Sequence, residues 1–89
     1  MKCIISVIGK DAVGILAKVT NICAEAKVNI MDVSQTIMQD VFAMTMLADL
    51  SVSVVPFSEL SDRLKSAGEE MNLQVHVMHE DIFNSMHRI

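Results

Sequence analysis

Aromatic side chains are scarce in this sequence of 89 residues, which has no Trp, no Tyr and three Phe. Positive charge is scarce as well, because seven Lys and Arg stand against eleven Asp and Glu, for a formal net charge of -4. Nucleic-acid-binding modules normally combine a basic surface with stacking aromatic residues. The composition therefore argues against nucleic-acid binding. It also argues against an aromatic-lined pocket, so we expect a small, polar ligand held mainly by backbone groups.

Long hydrophobic runs and paired cysteines are also missing. No apolar run approaches the ~18 residues that a membrane helix needs. The apolar start of the chain is interrupted by Lys10 and Asp11 too early for a signal peptide. Cys3 and Cys23 do not form a CxxC pair and are expected to be buried thiols in a reducing compartment. We therefore expect a cytoplasmic protein that does not interact with membranes.

Residue patterns that support catalysis or metal binding are weak. His76 and His79 are three residues apart in a predicted strand and so face opposite sides of it. His79, Glu80 and Asp81 could gather with His87 only if the end of the chain folded back, and the role of the three histidines stays open. Ser and His residues occur without a nucleophile-elbow context. We expect no metal, no cofactor and no enzymatic activity.

Hydrophobic residues, in contrast, are abundant. They make up 52% of the chain, and the mean hydropathy is +0.43. A chain of this length buries only about two thirds of its surface on folding, so we expect a homodimer or a higher homo-oligomer. Met38, Met44 and Met46 suit either the core or such an interface, because methionine adapts to irregular surfaces.

The periodicity of the apolar residues predicts four strands and two main helices. Asp11 is expected to cap the first helix and Asp81 the C-terminal tail, while Pro56 fits the first turn of the second helix. Gly68 lies on the buried stripe of the second helix and predicts a close approach of another backbone. The predicted elements are strand 2–9, helix 12–26, strand 30–38, strand 41–49, helix 56–71, strand 74–80 and a helical tail 81–89.

This element order predicts an α+β, ferredoxin-like βαββαβ fold with both helices on one face of a four-stranded antiparallel sheet. The first and third strands are the most apolar and should be central, which gives the strand order 4-1-3-2. We expect one domain over residues 1–80, with a tail over 81–89 that packs on the domain or on a dimer partner.

The loop after the first strand is the main candidate for a binding site. Gly9 and Gly14 bracket Lys10–Val13 before the helix, and the free N–H groups of a helix start attract a carboxylate or phosphate. A plain turn that uses glycine for backbone reasons is an equal alternative. The loop is not a phosphate loop of the nucleotide-binding type, because it lacks the further Gly and the Lys-Ser or Lys-Thr pair.

The segment Gly-Lys-Asp-Ala-Val-Gly-Ile-Leu over 9–16, followed by Asn29-Ile30, resembles the ACT domain. The ending His-Glu-Asp-Ile-Phe-Asn-Ser-Met-His-Arg-Ile over 79–89 is similar to that of stand-alone prokaryotic ACT-domain proteins of undefined role. The chain resembles these and the glycine cleavage regulator type more than ACT domains tethered to enzymes. Many ACT loops have Pro where this chain has Val13.

The resemblance implies a regulatory module that binds an amino acid or similar metabolite between two domains and acts through a partner enzyme or regulator. The alternative is a ligand-free module for oligomerisation or protein interaction, in which the second strand pairs across a dimer. Carried over residue by residue, the resemblance places Asp11, Val13, Gly14 and Ile15 on one side of the ligand and Asn29, Ile30 and Met31 on the other.

Overall fold

Four strands and three helices follow one another along the chain in the computed structural model, which describes residues 1–10 and 13–86. The order confirms the predicted βαββαβ arrangement with a C-terminal helix. The strand that was predicted to end at Glu80 ends one residue earlier, where the last helix begins. The elements are β1 (Lys2–Lys10), α1 (Ile15–Glu25), β2 (Asn29–Met38), β3 (Val41–Asp49), α2 (Phe57–Glu70), β4 (Leu73–His79) and α3 (Glu80–Met86).

The strands form one antiparallel sheet in the order β2-β3-β1-β4, which confirms the predicted order. Within the β1–β3 pair, Lys2 lies opposite Asp49 and Lys10 lies opposite Val41. β2 also begins opposite Asp49 and ends opposite Val41. β1 and β2 therefore run in the same direction, from what we call the Asp49 end of the sheet to the Val41 end.

One face of the sheet forms the hydrophobic core with the inner sides of α1 and α2. Alternate residues of β1 and β3 are buried on this face, as expected for strands with one covered side. The high apolar content of β1 and β3 explains both why these strands are central in the sheet and why the core lies over them. The core includes Cys3, Ile5, Val7, Phe42, Met44, Met46, Ala48, Val19, Cys23, Leu60 and Leu64.

The methionines of β3 belong to this core. Met44 and Met46 are 1% and 0% exposed, so an interface role for them is wrong. Met38 is 69% exposed at the end of edge strand β2 and is the one of the three that stays on the surface. The core also holds two free thiols, Cys3 and Cys23. Burial, together with the neighbouring Cys23 thiol, raises the pKa of Cys3 to about 11.

The predicted caps of α1 and α3 are both wrong. α1 begins at Ile15 with Gly14 at its N-cap, in a left-handed conformation (φ 90°). Asp11 therefore comes too early in the chain to cap this helix, and it lies outside the described residues. At α3, the backbone N–H of Asp81 donates to Nδ1 of His79 at 3.1 Å. The helix starts at Glu80, so Asp81 lies inside it. The residue that caps the first turn is His79, which accepts this hydrogen bond.

Local backbone features account for the remaining turns. The two-residue turn between β2 and β3 contains no glycine, and Gln39 adopts a positive φ of 58° there. Gly68 lies against the backbone of Leu73, as its position on the buried stripe predicted.

Within residues 1–10 and 13–86, no helix is long and apolar enough to cross a bilayer.

Candidate functional site

The N-terminus of α1 presents backbone amides at an exposed corner. Val13 is fully exposed, whereas Ile15 is buried in the core, so the helix start is anchored on one side and open on the other. The Gly14 carbonyl accepts the N–H of Lys18 at 2.9 Å. N–H groups in a first helical turn lack intrahelical acceptors, and Gly14 has no side chain to supply one. This corner can therefore hold a carboxylate or another small anion.

The second half of the predicted site lies at the start of β2. Asn29 is exposed and pairs with Asp49 of β3, while Ile30 packs against the core. The register shifts between Ile30 and Asp32, so Met31 occupies a bulge. A bulge redirects side chains at a sheet edge. The exposed amide of Asn29 and the half-exposed thioether of Met31 are therefore available at this edge.

The two halves do not meet within one chain. The loop that contains Gly14 follows Lys10, at the Val41 end of the sheet, whereas Asn29 lies at the Asp49 end. Eight residue steps separate the two ends along β3, which corresponds to ~26 Å at ~3.3 Å per residue. Asp11, the remaining predicted residue, lies outside the described part of the chain.

The strand that connects these ends, β2, is an edge strand with few protective features. Every residue of β2 except Ile30 is exposed. Natural edge strands are usually protected by lysine, proline, a bulge or short length. This strand has ten residues and neither Lys nor Pro, and its bulge at Met31 lies near its start and leaves Asp32–Met38 in regular register. Instead it exposes apolar side chains, including 53% of Ile37. The unpaired edge of β2 is therefore suited to pairing with another strand.

Sequence reasoning missed a cavity of about 380 Å³ on the sheet face opposite α1 and α2. It is formed where α3 folds back against β1 and β4. One of the three phenylalanines, Phe83, contributes to its lining. The apolar spacing of the tail predicts a helix, but the part of the sheet on which that helix packs depends on tertiary contacts. The lining residues are Ile4, Ser6, Thr45, His76, Met78 and Phe83.

A groove of about 500 Å³ between α1 and α2 has a different character. Four of the six charged side chains that line it form two pairs: Lys18 approaches Glu70 at 3.8 Å, and Arg63 approaches Glu59 at 2.9 Å. These pairs are solvent-exposed and contribute little to stability. We interpret the groove as a solvated helical surface.

The histidines do not form a metal centre in the part of the chain that the structure describes, where no group of three His, Cys, Asp or Glu side chains is close enough to hold an ion. His76 lines the open-face cavity. His79 lies opposite Cys3 in the register of β4 and β1, and its Nδ1 atom is 3.6 Å from the Asp81 carboxylate. His87 lies outside the described residues.

Comparison with known proteins places this geometry in a family. The family model described as an ACT domain matches residues 2–78. A UPF0237 protein of Clostridium acetobutylicum is 53% identical over 89 residues, covering 100% of both chains. The structure of an ACT domain protein from Streptococcus pneumoniae has a TM-score of 0.80 at 35% identity and covers 93% of each chain.

A lower similarity links the fold to a protein provisionally described as a glycine cleavage system transcriptional repressor. That structure has a TM-score of 0.74 at 22% identity and covers 89% of this chain and 47% of its own. At this level of identity the match concerns the fold alone. The family model spans nearly the whole chain, and a relative at 53% identity matches it from end to end. The chain therefore belongs to the ACT-domain family.

Proposed function

We propose that this protein is a regulatory module that binds an amino acid, or a similar small metabolite, between two copies of the chain and acts through a partner protein. The observation that carries the proposal is the separation of the two halves of the site. One half, at Gly14, lies at the Val41 end of the sheet, and the other, at Asn29, lies at the Asp49 end, joined by the unprotected edge of β2.

Two-fold pairing of β2 with β2 of a second copy would bring these halves together. Antiparallel pairing places the start of each strand beside the end of the other. The Asn29–Met31 segment of one copy then lies next to the α1 N-terminus of its partner. A symmetric dimer would contain two such sites, as isologous interfaces require.

The chemistry of the two halves matches an amino acid. First-turn amides of α1 favour a carboxylate, while the Asn29 side chain can accept a hydrogen bond from an ammonium group or donate one to a carboxylate. The α1 amides and the Asn29 side chain are the polar contacts of the ligand, and the exposed Val13 and Met31 add apolar surface beside them. Selectivity among amino acids would then depend on the size of the ligand side chain that fits between Val13 and Met31.

A regulatory role follows from this arrangement because a ligand shared by two chains stabilises their association. Such a ligand changes which surfaces of the dimer are available to a partner. The ACT-domain model match and the fold similarity to a provisional transcriptional repressor support this interpretation.

Isothermal titration of the full chain with glycine, serine and the other common amino acids tests the proposal. We expect heat with at least one of them, and we expect Asn29→Ala to weaken that binding. Asn21→Ala is the matched control, because Asn21 is an exposed amide within α1. Absence of heat with every amino acid at millimolar concentration would refute amino-acid binding.

A ligand-free assembly module is the second candidate, and the exposed apolar side chains of β2 favour it. Both candidates require association through this edge. We expect Ile37→Lys to lower the mass measured by analytical ultracentrifugation, since the charge would be buried in a paired edge. An associated wild-type protein that gives no heat with any amino acid would support assembly alone.

A further inference from the structure

The cavity on the open face of the sheet contains a row of polar side chains that crosses the strands. Ser6 of β1 lies directly opposite Thr45 of β3 on one side and His76 of β4 on the other. Ser34 of β2 continues the row beyond Thr45. These side chains therefore share one face, and three of them line the cavity.

The row is bounded by apolar side chains on one side. Ile4 lies opposite Met78 in the β1–β4 pair, two residues from the polar row. α3 folds back over β1 and β4 and places Phe83 at the cavity wall. The cavity thus combines a polar floor with an apolar wall, which is the usual composition of small-molecule sites.

The hydrogen-bonding side chains of the floor have no partner in the part of the protein that the structure describes. Ser6, Thr45 and His76 make no side-chain hydrogen bond to one another or to a described neighbour, and Thr45 and His76 are exposed to solvent. Each hydroxyl can donate and accept, and a neutral imidazole does both through its two nitrogens. The floor therefore offers a line of groups that can each donate or accept a hydrogen bond.

The dimensions limit what this line can recognise. Adjacent strands are ~4.8 Å apart, so the row from Thr45 to His76 spans about 10 Å. A planar system of two rings fits within that length, and a single ring reaches part of the row. The volume of about 380 Å³ also fits such a ligand.

The charge of the lining argues against charged ligands. Among the residues that the structure describes, no Lys, Arg, Asp or Glu lines the cavity. A phosphate or a zwitterionic amino acid would therefore find no carboxylate, ammonium or guanidinium group of opposite charge in the described lining. A planar ring without charge, in contrast, can stack on Phe83 and contact the Met78 thioether.

We propose that this open-face cavity binds an uncharged planar nitrogen heterocycle of one or two rings, of the free nucleobase class. The edge of the ring would bond to Ser6, Thr45 and His76, and its face would lie against Phe83. This site is distinct from the site at Gly14 and Asn29 and does not require a second copy of the chain.

Titration of the isotope-labelled full chain with adenine and uracil, followed by amide NMR spectra, tests the proposal. We expect the amide signals of Ser6, Thr45 and His76 to move with either base while that of Gly14 stays in place. Absence of movement along the row at millimolar base would overturn the proposal, as would movement confined to β2 or the Gly14 loop.

Two variants examine the contacts separately. Thr45→Val keeps the side-chain shape, removes one hydrogen bond and should weaken base binding about fivefold. Phe83→Leu keeps an apolar wall without the aromatic face and should weaken it about two- to tenfold. Ser34→Ala is the matched control, because Ser34 belongs to the row but does not line the cavity.

The control should bind like the wild type. Wild-type affinity in both Thr45→Val and Phe83→Leu would overturn the proposal, because binding would then not depend on the row or the ring. Signals of the row that move on dilution without any base would also count against it, since they would indicate that a second copy covers this face.

Discussion

Gly68 lies near the C-terminal end of α2, against strand β4, and its replacement by alanine is expected to destabilise the domain. A Cβ at this position would lie 2.5 Å from Cγ2 of Val75 and 3.2 Å from the Leu73 carbonyl oxygen. The first distance is a severe overlap. Val75 is β-branched and buried, so its side chain has few alternative rotamers. The Leu73 oxygen belongs to the backbone of β4 and cannot move without the strand.

Two opposing effects determine the magnitude. Glycine costs ~1 kcal/mol relative to alanine within a helix, so the substitution gains that amount from helix propensity. Overpacking of a well-filled core costs about 1–3 kcal/mol. The net result should be a loss of about 1 kcal/mol in the free energy of unfolding. For a domain of this size that corresponds to a fall of about 4–8 °C in Tm.

A double-mutant cycle separates the overlap from helix propensity. In a Val75→Ala background the overlapping methyl group is absent and only the closer-than-usual approach to the Leu73 oxygen and to Cβ of residue 75 remains, so Gly68→Ala should be close to neutral there. The coupling energy between the two sites should be at least about 1 kcal/mol, within the range for residues in contact. Ser66→Ala is the control, because Ser66 is exposed on the same helix and should gain up to about 0.5 kcal/mol.

Urea unfolding followed by far-UV circular dichroism measures these changes, since the chain has no Trp for fluorescence. All variants are compared at one protein concentration, because self-association contributes to apparent stability. A higher unfolding midpoint for Gly68→Ala in the wild-type background would refute the close approach of α2 and β4. Additive effects of the two substitutions would refute it as well.

Three further perturbations test other parts of the structure. Gly14→Ala should cost about 1 kcal/mol in urea unfolding through the positive φ alone, since a Cβ there has no described atom within 4 Å; an unchanged midpoint would contradict that backbone conformation. Above pH 9.0, the unfolded Cys3 thiol loses its proton while the folded one keeps it to about 11, so the free energy of unfolding should change little well below pH 9.0 and should fall as the pH rises from 9.0 towards 11, by up to roughly 3 kcal/mol. Cys3→Ala should flatten that decline, and an equally steep decline in the variant would exclude this thiol as its source. Removal of residues 81–89 should weaken self-association in analytical ultracentrifugation, and an unchanged mass would contradict a contribution of the tail.

The sheet could be predicted from the sequence because its signals are local. Alternation in β3 identifies the buried face, and the low polarity of β1 and β3 identifies the centre of the sheet. The close approach at Gly68 could be predicted for a related reason, since glycine weakens a helix and is favoured on its buried stripe where a neighbouring backbone leaves no room for a Cβ. The features that the sequence does not reveal depend on contacts between distant segments.

The helix starts illustrate this limit. Asp11 has the chemistry of a cap, but Gly14 adopts the left-handed conformation and the helix begins only after it. Nδ1 of His79 accepts a hydrogen bond from the backbone N–H of Asp81 because β4 ends at His79 and α3 begins at the next residue. In both places the cap is determined by where the backbone changes direction, and composition alone does not locate that point.

The polarity of β4 shows why the open-face cavity was missed. Gln74 and His76 indicate an edge strand, and that interpretation is correct for the sheet order. The same polarity is also what a binding surface requires, because hydrogen-bonding groups on an exposed strand can serve either water or a ligand. A binding surface differs from a solvated strand surface in having a second element packed over it. Here that element is the C-terminal helix α3, whose Phe83 lines the cavity. A polar edge strand followed by a short amphipathic tail with an aromatic residue therefore predicts a cavity only when the tail is known to fold back over the open face, as α3 does against β1 and β4.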